Sequence, residues 1–161
     1  MTPEILKLAE KVVSRAAERG VTLCAAESCT GGLIGALITS VSGASEIFYG
    51  SAVTYHNSAK ENILGVMPSV LKKYGAVSPQ CAIEMARGAR LLYKTDFSVS
   101  VTGIAGPSGG SEEKPVGTVW FGCSSQNGTC SYVCHFDGDR QKIRETSSMA
   151  GIAKLAAKRS H

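Results

Sequence analysis

No stretch of apolar residues in this sequence approaches the roughly 20 needed to cross a bilayer, so no membrane partner is expected. Blocks of five or six like charges are missing too, and the net charge of +4 is dispersed along the chain. That excludes a nucleic-acid surface, which needs clustered Lys and Arg, while leaving room for a small anionic ligand. Low-complexity tracts and repeats of solenoid period are absent, which excludes disordered and array architectures. The six cysteines contain no C-x-x-C pair, and Met1 leads straight into an amphipathic pattern rather than a signal sequence. Reduced thiols and a cytoplasmic location are therefore expected. Cys130, Cys134 and His135 are the one hint of a metal, but on an alternating strand His135 points away from the two thiols. Neither a metal nor a cofactor is expected.

What is present is the composition of an ordinary globular chain. At 161 residues it suits one domain over residues 1–161, long enough to bury about two-thirds of its unfolded surface. Thr2 caps a helix with Pro3 at its first position, and Ile5, Leu8, Ala9, Val12, Val13, Ala16 and Ala17 recur at helical spacing until Gly20. Val21 to Ala26 is a continuous apolar run, the mark of a strand covered on both faces. It leads through Glu27-Ser28-Cys29-Thr30-Gly31-Gly32 into a helix from about Gly32 to Ser40. Two explanations of this turn stand side by side. Its N–H groups and the helix start cradle an anion, or Ser28 or Thr30 caps the helix while the glycines allow close packing.

Further helices are expected from about Ser58 to Leu64, from Pro68 to Tyr74, and from Ser78-Pro79 through Tyr93, the last burying Ile83, Met85, Ala86, Ala89 and Leu92. Phe97 to Val101 reads as a strand ending in a second glycine-rich turn, Thr102 to Gly110. Small-residue loops at the carboxyl ends of strands are where α/β sheets bind ligands. Val116 to Ser124 and Thr129 to Phe136 flank Gln126-Asn127-Gly128, a hairpin signal that places an antiparallel pair at one side of the sheet. Asp137-Gly138-Asp139 caps a final helix with Ile143, Ala150, Ile152, Ala153 and Leu155 inward. Arg140, Lys142 and Arg144 oppose its dipole, a cost that a bound anion would remove and that solvation on an outer face would also soften. The expected fold is a three-layer α/β/α sandwich with a mixed sheet of about five or six strands.

The chemistry centres on residues 45–60, S-E-I-F-Y-G-S-A-V-T-Y-H-N-S-A-K. A serine, a short strand (Ile47 to Val53), Tyr55 and a helix start capped by Ser58 could bring hydroxyl, phenol and the Lys60 amine to one end of a strand. Desolvation would turn that amine into a base, and a serine beside it into a nucleophile.

Six motifs in order resemble one family: A-E-S-C-T-G-G (26–32), S-G-A-S-E-I-F-Y-G (42–50), V-T-Y-H-N-S-A-K (53–60), G-A-V-S (75–78), T-G-I-A-G-P (102–107) and K-P-V-G-T-V (114–119). Together the chain is similar to the C-terminal domain of the competence/damage-inducible protein CinA, the nicotinamide mononucleotide deamidase (PncC) family. The resemblance implies a metal-independent amidohydrolase that converts nicotinamide mononucleotide to nicotinic acid mononucleotide and ammonia. It implies Ser45 as nucleophile and Lys60 as general base, with Ser28 the other candidate nucleophile and Tyr55 beside them. Thr30, Gly31, Gly32, Thr102, Gly103 and Gly106 would line the substrate site, and Arg140 or Arg144 would meet the phosphate. The N-terminal domain that many members carry is not in this sequence, so its pyrophosphatase activity is not implied. A homodimer or higher homo-oligomer is expected, as for small α/β enzymes generally. A non-catalytic nucleotide-binding module and an amidase for another amide are the alternatives.

Overall fold

The computed structural model describes residues 2–157. Its elements run α1 (Pro3–Arg19), β1 (Leu23–Glu27), α2 (Leu33–Thr39), a single 3-10 turn (Ala44–Glu46), β2 (Phe48–Val53), α3 (Asn57–Leu64), α4 (Pro68–Tyr74), α5 (Pro79–Tyr93), β3 (Phe97–Gly103), β4 (Thr118–Ser125), β5 (Gly128–His135) and α6 (Arg140–Ala157). The five strands form one sheet in the order β2-β1-β3-β4-β5. β1 pairs in parallel with both β2 and β3, whereas β4 and β5 are antiparallel additions at the far side. The sheet is thus mixed and five-stranded, within the expected range.

Helices α1, α2 and α6 pack on one face around Val12, Ile34, Ile38, Val99, Val101, Phe121, Ile143 and Ile152. On the other face α3, α4 and α5 enclose Ala26, Ala52, Leu64, Val66, Met85 and Ala89. Every residue of β1 is buried, which explains why that strand reads as an unbroken apolar run rather than an alternating one. The hairpin joins Ser125 to Gly128 through Gln126-Asn127, as the Asn-Gly signal predicts.

Several details depart from the sequence expectations. The cap of α3 is His56, whose Nδ1 accepts from the Ser58 N–H at 3.1 Å, while the Ser58 hydroxyl lies 2.8 Å from the same ring nitrogen. In α5, Leu92 is half exposed and Tyr93 takes the inward position against Gly50; Cys81 and Ala82 join the buried face. In α6, Ser147, Ser148 and Gly151 are buried where Ala150 and Ala153 were expected. Small polar residues fit there because α6 lies close: a Cβ on Gly151 would stand 2.8 Å from Ile34.

The order of connections creates the crevice that matters. After β1 the chain turns to α2 on one face; after its neighbour β2 it turns to α3 on the opposite face. The loops after β1 and β2 therefore diverge to opposite faces, and beside them, between β1 and β3, the strand order reverses: this carboxyl end is the topological switch point where open sheets bind ligands.

Candidate active site

At this switch point β1 ends in Glu27 and Ser28, and β2 continues through Thr54 and Tyr55 into α3. The two ends are stitched together by the Thr54 N–H, which donates to the Glu27 carbonyl at 2.8 Å. One turn into α3, Lys60 folds back over this seam. Its side chain is only 1 % exposed, and its amine donates to the carbonyls of Thr54 at 2.8 Å and Tyr55 at 3.2 Å. Burial lowers its pKa from the ordinary 10.5, opposed by the thiols of Cys81 and Cys29. Neutral backbone oxygens stabilise an ammonium far less than a carboxylate does, so desolvation wins. Two thiols share that environment. Burial pushes both Cys29 and Cys81 up to about 11, with Lys60 acting in the opposite direction on each. Both are therefore neutral at physiological pH.

Cys29 is the link to Ser28, its chain neighbour. Ser28 is nearly buried, and its N–H donates to the Val101 carbonyl of β3 at 2.9 Å, fixing the residue between two parallel strands. From there the chain makes a tight turn, with Gly31 and Gly32 both at positive φ (61° and 104°), a conformation glycine adopts without a Cβ penalty.

The sequence left open whether this turn and helix start would cradle an external anion, and the answer lies in Glu27. Its fully buried carboxylate accepts four hydrogen bonds. Oε1 takes the Thr30 hydroxyl at 2.6 Å and the Ile34 N–H at 2.9 Å; Oε2 takes the Ser51 hydroxyl at 2.6 Å and the Gly35 N–H at 3.1 Å. The start of α2 already holds a carboxylate of its own chain, so it is not the seat of a ligand phosphate. Sequence reasoning gave Glu27 no role. The available signal was its position: an acidic residue closing a strand buried on both faces has to find donors inside the protein.

Ser45 requires a correction. It lies exposed in the 3-10 turn that precedes β2, whereas Tyr55 and Lys60 follow that strand. Six residues of strand separate the two ends, about 20 Å at 3.3 Å per residue. Within one chain the Ser45 hydroxyl and the Lys60 amine do not meet. A sequence pattern shows that a serine and a lysine flank a strand; only the strand's extension shows that flanking means separation.

The remaining residues sort by what their polar groups hold. The Thr102 hydroxyl is buried and donates to the Ala76 carbonyl at 2.9 Å, anchoring the 75–78 loop rather than facing a crevice. Gly103 belongs to β3, where a Cβ would stand 2.7 Å from Val119. Arg144 lies along the glycine-rich turn, donating to the carbonyls of Cys29 at 3.0 Å and Thr30 at 3.1 Å. Arg140 reaches the other rim, donating to the Gly106 carbonyl at 2.8 Å and the Tyr55 hydroxyl at 3.0 Å. Tyr55 is 61 % exposed, so this pair stands at the mouth, where the three loops after β1, β2 and β3 converge. Lys114, another residue given no site role, donates to the Tyr74 carbonyl at 2.8 Å.

A cavity of about 840 Å³ lies at the opposite end of the sheet, beneath the β4–β5 hairpin and lined by Arg90, Asp96, Thr129 and Lys154. Arg90 there donates to Ser124, and Lys154 sits over the Tyr132 ring. Among the described residues that line this cavity, none is a buried basic side chain. Among the described residues no cluster of three or more His, Cys, Asp or Glu is placed to hold a metal, and no helix is long and apolar enough to cross a membrane.

The family model described as the CinA C-terminal domain matches residues 5–158. A CinA-like protein of Fervidobacterium nodosum is 51 % identical over 134 residues, 83 % of this chain and 33 % of that protein. A putative competence-damage inducible protein of Caldanaerobacter subterraneus is 49 % identical over 143 residues, 89 % of this chain and 35 % of its own length. This chain thus spans about a third of the length of such relatives. Among solved structures, the competence/damage inducible protein CihA from Agrobacterium tumefaciens superimposes with a TM-score of 0.93 at 39 % identity, covering 98 % of this chain and 96 % of that one. The competence damage-inducible protein A of Klebsiella pneumoniae gives 0.92 at 32 % identity, with 96 % of each chain covered.

Proposed function

We propose, for a chain that belongs to the CinA C-terminal domain family, that it hydrolyses the carboxamide of nicotinamide mononucleotide to the acid and ammonia. One observation carries the catalytic half of this reading: a buried lysine amine, bonded only to carbonyls and held below its ordinary pKa, beside a turn that begins with a serine. The substrate half rests on the motifs shared with the family. Ser28 replaces Ser45 as the nucleophile, because it lies at the same end of the sheet as Lys60.

In this mechanism neutral Lys60 takes the Ser28 proton as Oγ attacks the carboxamide carbon. Negative charge then develops on the carboxamide oxygen. The turn's N–H groups at Gly31, Leu33, Ile34 and Gly35 are occupied by acceptors within the chain. Those of Thr30 and Gly32 are assigned to the oxyanion, where a single donor is typically worth about 3 kcal/mol. The Lys60 ammonium gives that proton to the carboxamide nitrogen, whose bond to carbon breaks to release ammonia; neutral Lys60 then takes a proton from the water that attacks the acyl-serine and passes it to Ser28 Oγ as the acid leaves. Arg140 is assigned the phosphate contact: Gly106 and Tyr55 hold its guanidinium at the mouth through two of its five N–H donors. Arg144 keeps the turn in shape.

Ammonia release from nicotinamide mononucleotide, measured in the presence of a chelator, tests the proposal. Lys60→Ala and Ser28→Ala should each reduce kcat by several orders of magnitude, with Ser45→Ala retaining most of it. Full activity in Ser28→Ala would remove the nucleophile assignment. Tight mononucleotide binding without ammonia release in the unaltered protein would favour a nucleotide-binding module, and faster turnover of a different amide would redefine the substrate.

A further inference from the structure

We infer that Glu27 is the positioning residue of this site, the one group to which both of its catalytic halves are referenced. The inference rests on the reaction proposed above and adds a residue to it. Four donors converge on the Glu27 carboxylate from three separate places: the Thr30 hydroxyl in the turn, the Ile34 and Gly35 N–H groups at the start of α2, and the Ser51 hydroxyl in β2. Among side chains of this reach, a carboxylate alone accepts four hydrogen bonds while offering no donor of its own.

The first three bonds set the shape of the turn that begins at Ser28 and aims the Thr30 and Gly32 N–H groups. The fourth fixes β2 three residues before Thr54, whose carbonyl holds the Lys60 amine. A backbone bond runs the same way, from the Thr54 N–H to the Glu27 carbonyl. Nucleophile turn and base are therefore spaced through one residue rather than through a chain of weak contacts. Gly35 eases the closure: a Cβ there would stand 3.1 Å from the Ser51 Cβ, a tight contact that would press helix and strand a few tenths of an ångström apart.

Glu27 touches no substrate atom in this scheme. Its effect passes through Ser28 and Lys60, and a displacement of about 1 Å in such a pair can cost roughly 100-fold in rate. Glu27→Gln preserves volume but turns an NH₂ toward two donors, either Thr30 and Ile34 or Ser51 and Gly35. The expected result in the full chain is a kcat lowered about 100-fold with KM within about threefold of the unaltered protein, since binding at the Arg140 rim is undisturbed. Cooperative thermal unfolding should persist. Glu27→Asp, which keeps the charge but shortens its reach, should fall between the two, and Ser51→Ala should lower kcat several-fold with KM unchanged.

An unchanged kcat in Glu27→Gln overturns the inference. So does a parallel loss of kcat and of affinity for the acid product in a variant that still unfolds cooperatively, which would mark a general disturbance of the site rather than positioning of its catalytic pair. Should Glu27→Gln not fold, Ser51→Ala and Thr30→Val decide, and unchanged kcat in both overturns it. If the unaltered protein shows no hydrolysis, the reaction itself fails. The role of Glu27 is then read from amide exchange: slow exchange at Ile34 and Gly35 that Ser51→Ala accelerates supports it, and fast exchange in the unaltered protein overturns it.

Discussion

Lys60 shows how one side chain can be destabilising and useful at once. Removing an amine from water without a carboxylate partner disfavours its charged form, and that penalty is what would make it the base in the proposed reaction. A rate limb follows: kcat/KM should rise with pH to a midpoint below 10.5, and Lys60→Arg, which cannot deprotonate, should abolish turnover and the limb together. A pH–rate profile with no limb below 10.5 would count against the assignment. The linkage has the matching sign. Because the folded-state pKa is depressed, the lysine's contribution to stability is present above 10.5 and lost as pH falls through the folded value. The buried thiols run the other way. Cys24, Cys29 and Cys81 are pushed by burial from 9.0 to about 11, so their contribution is whole below 9.0 and lost as pH rises through about 11. If the three thiols set the sign, denaturation midpoints fall between pH 9.0 and 11; a rising midpoint would mean that the lysine dominates.

Among the elements, α3 is the one whose placement decides whether Lys60 reaches the seam. It is held by close approach to α5: a Cβ on Gly88 would lie 2.0 Å from the Leu64 carbonyl oxygen, an overlap with backbone that no rotamer relieves. Gly88→Ala must push α3 outward. The expected cost is about 1–3 kcal/mol in urea denaturation, with a loss of turnover larger than stability alone explains. Gly65→Ala provides the contrast. Gly65 caps α3 at φ 71° with nothing within 4 Å of an added Cβ, so the expected cost is about 1 kcal/mol of backbone strain and little change in kcat. Equal effects of the two substitutions would show that packing against α5 does not position Lys60. The strand–turn–helix from β1 to α2 gives a second case. The glycines announced a tight turn in the sequence, but not which group would fill the helix start, because the Glu27 carboxylate closes on donors up to 24 residues away.

For the whole molecule, we propose the open edge of the sheet as the surface through which the self-association expected from sequence would run. β2 lies at one end of the strand order, carries no charge or proline, and leaves Tyr49 and Val53 about half exposed. Such an edge is a template for another strand unless something covers it. A homodimer through β2 predicts that Val53→Lys converts a dimer-sized species into a monomer-sized one in sedimentation. A monomer at micromolar concentration in the unaltered protein would remove the premise.

The α/β class, the order of the elements, the terminal hairpin and the two glycine-rich turns were legible in the sequence, because each is a local matter of apolar period, capping and turn chemistry. The family motifs marked which polar residues to follow. Which of them meet was decided by tertiary structure alone. Ser45 and Lys60 are 15 positions apart yet stand at opposite ends of an extended strand, while Arg140 meets Tyr55 across 85 positions and Arg144 meets Thr30 across 114. Local preferences act over a few residues; the desolvation that prepares Lys60 and the donors that hold Glu27 come from surfaces joined only when the sheet and both helical layers are assembled.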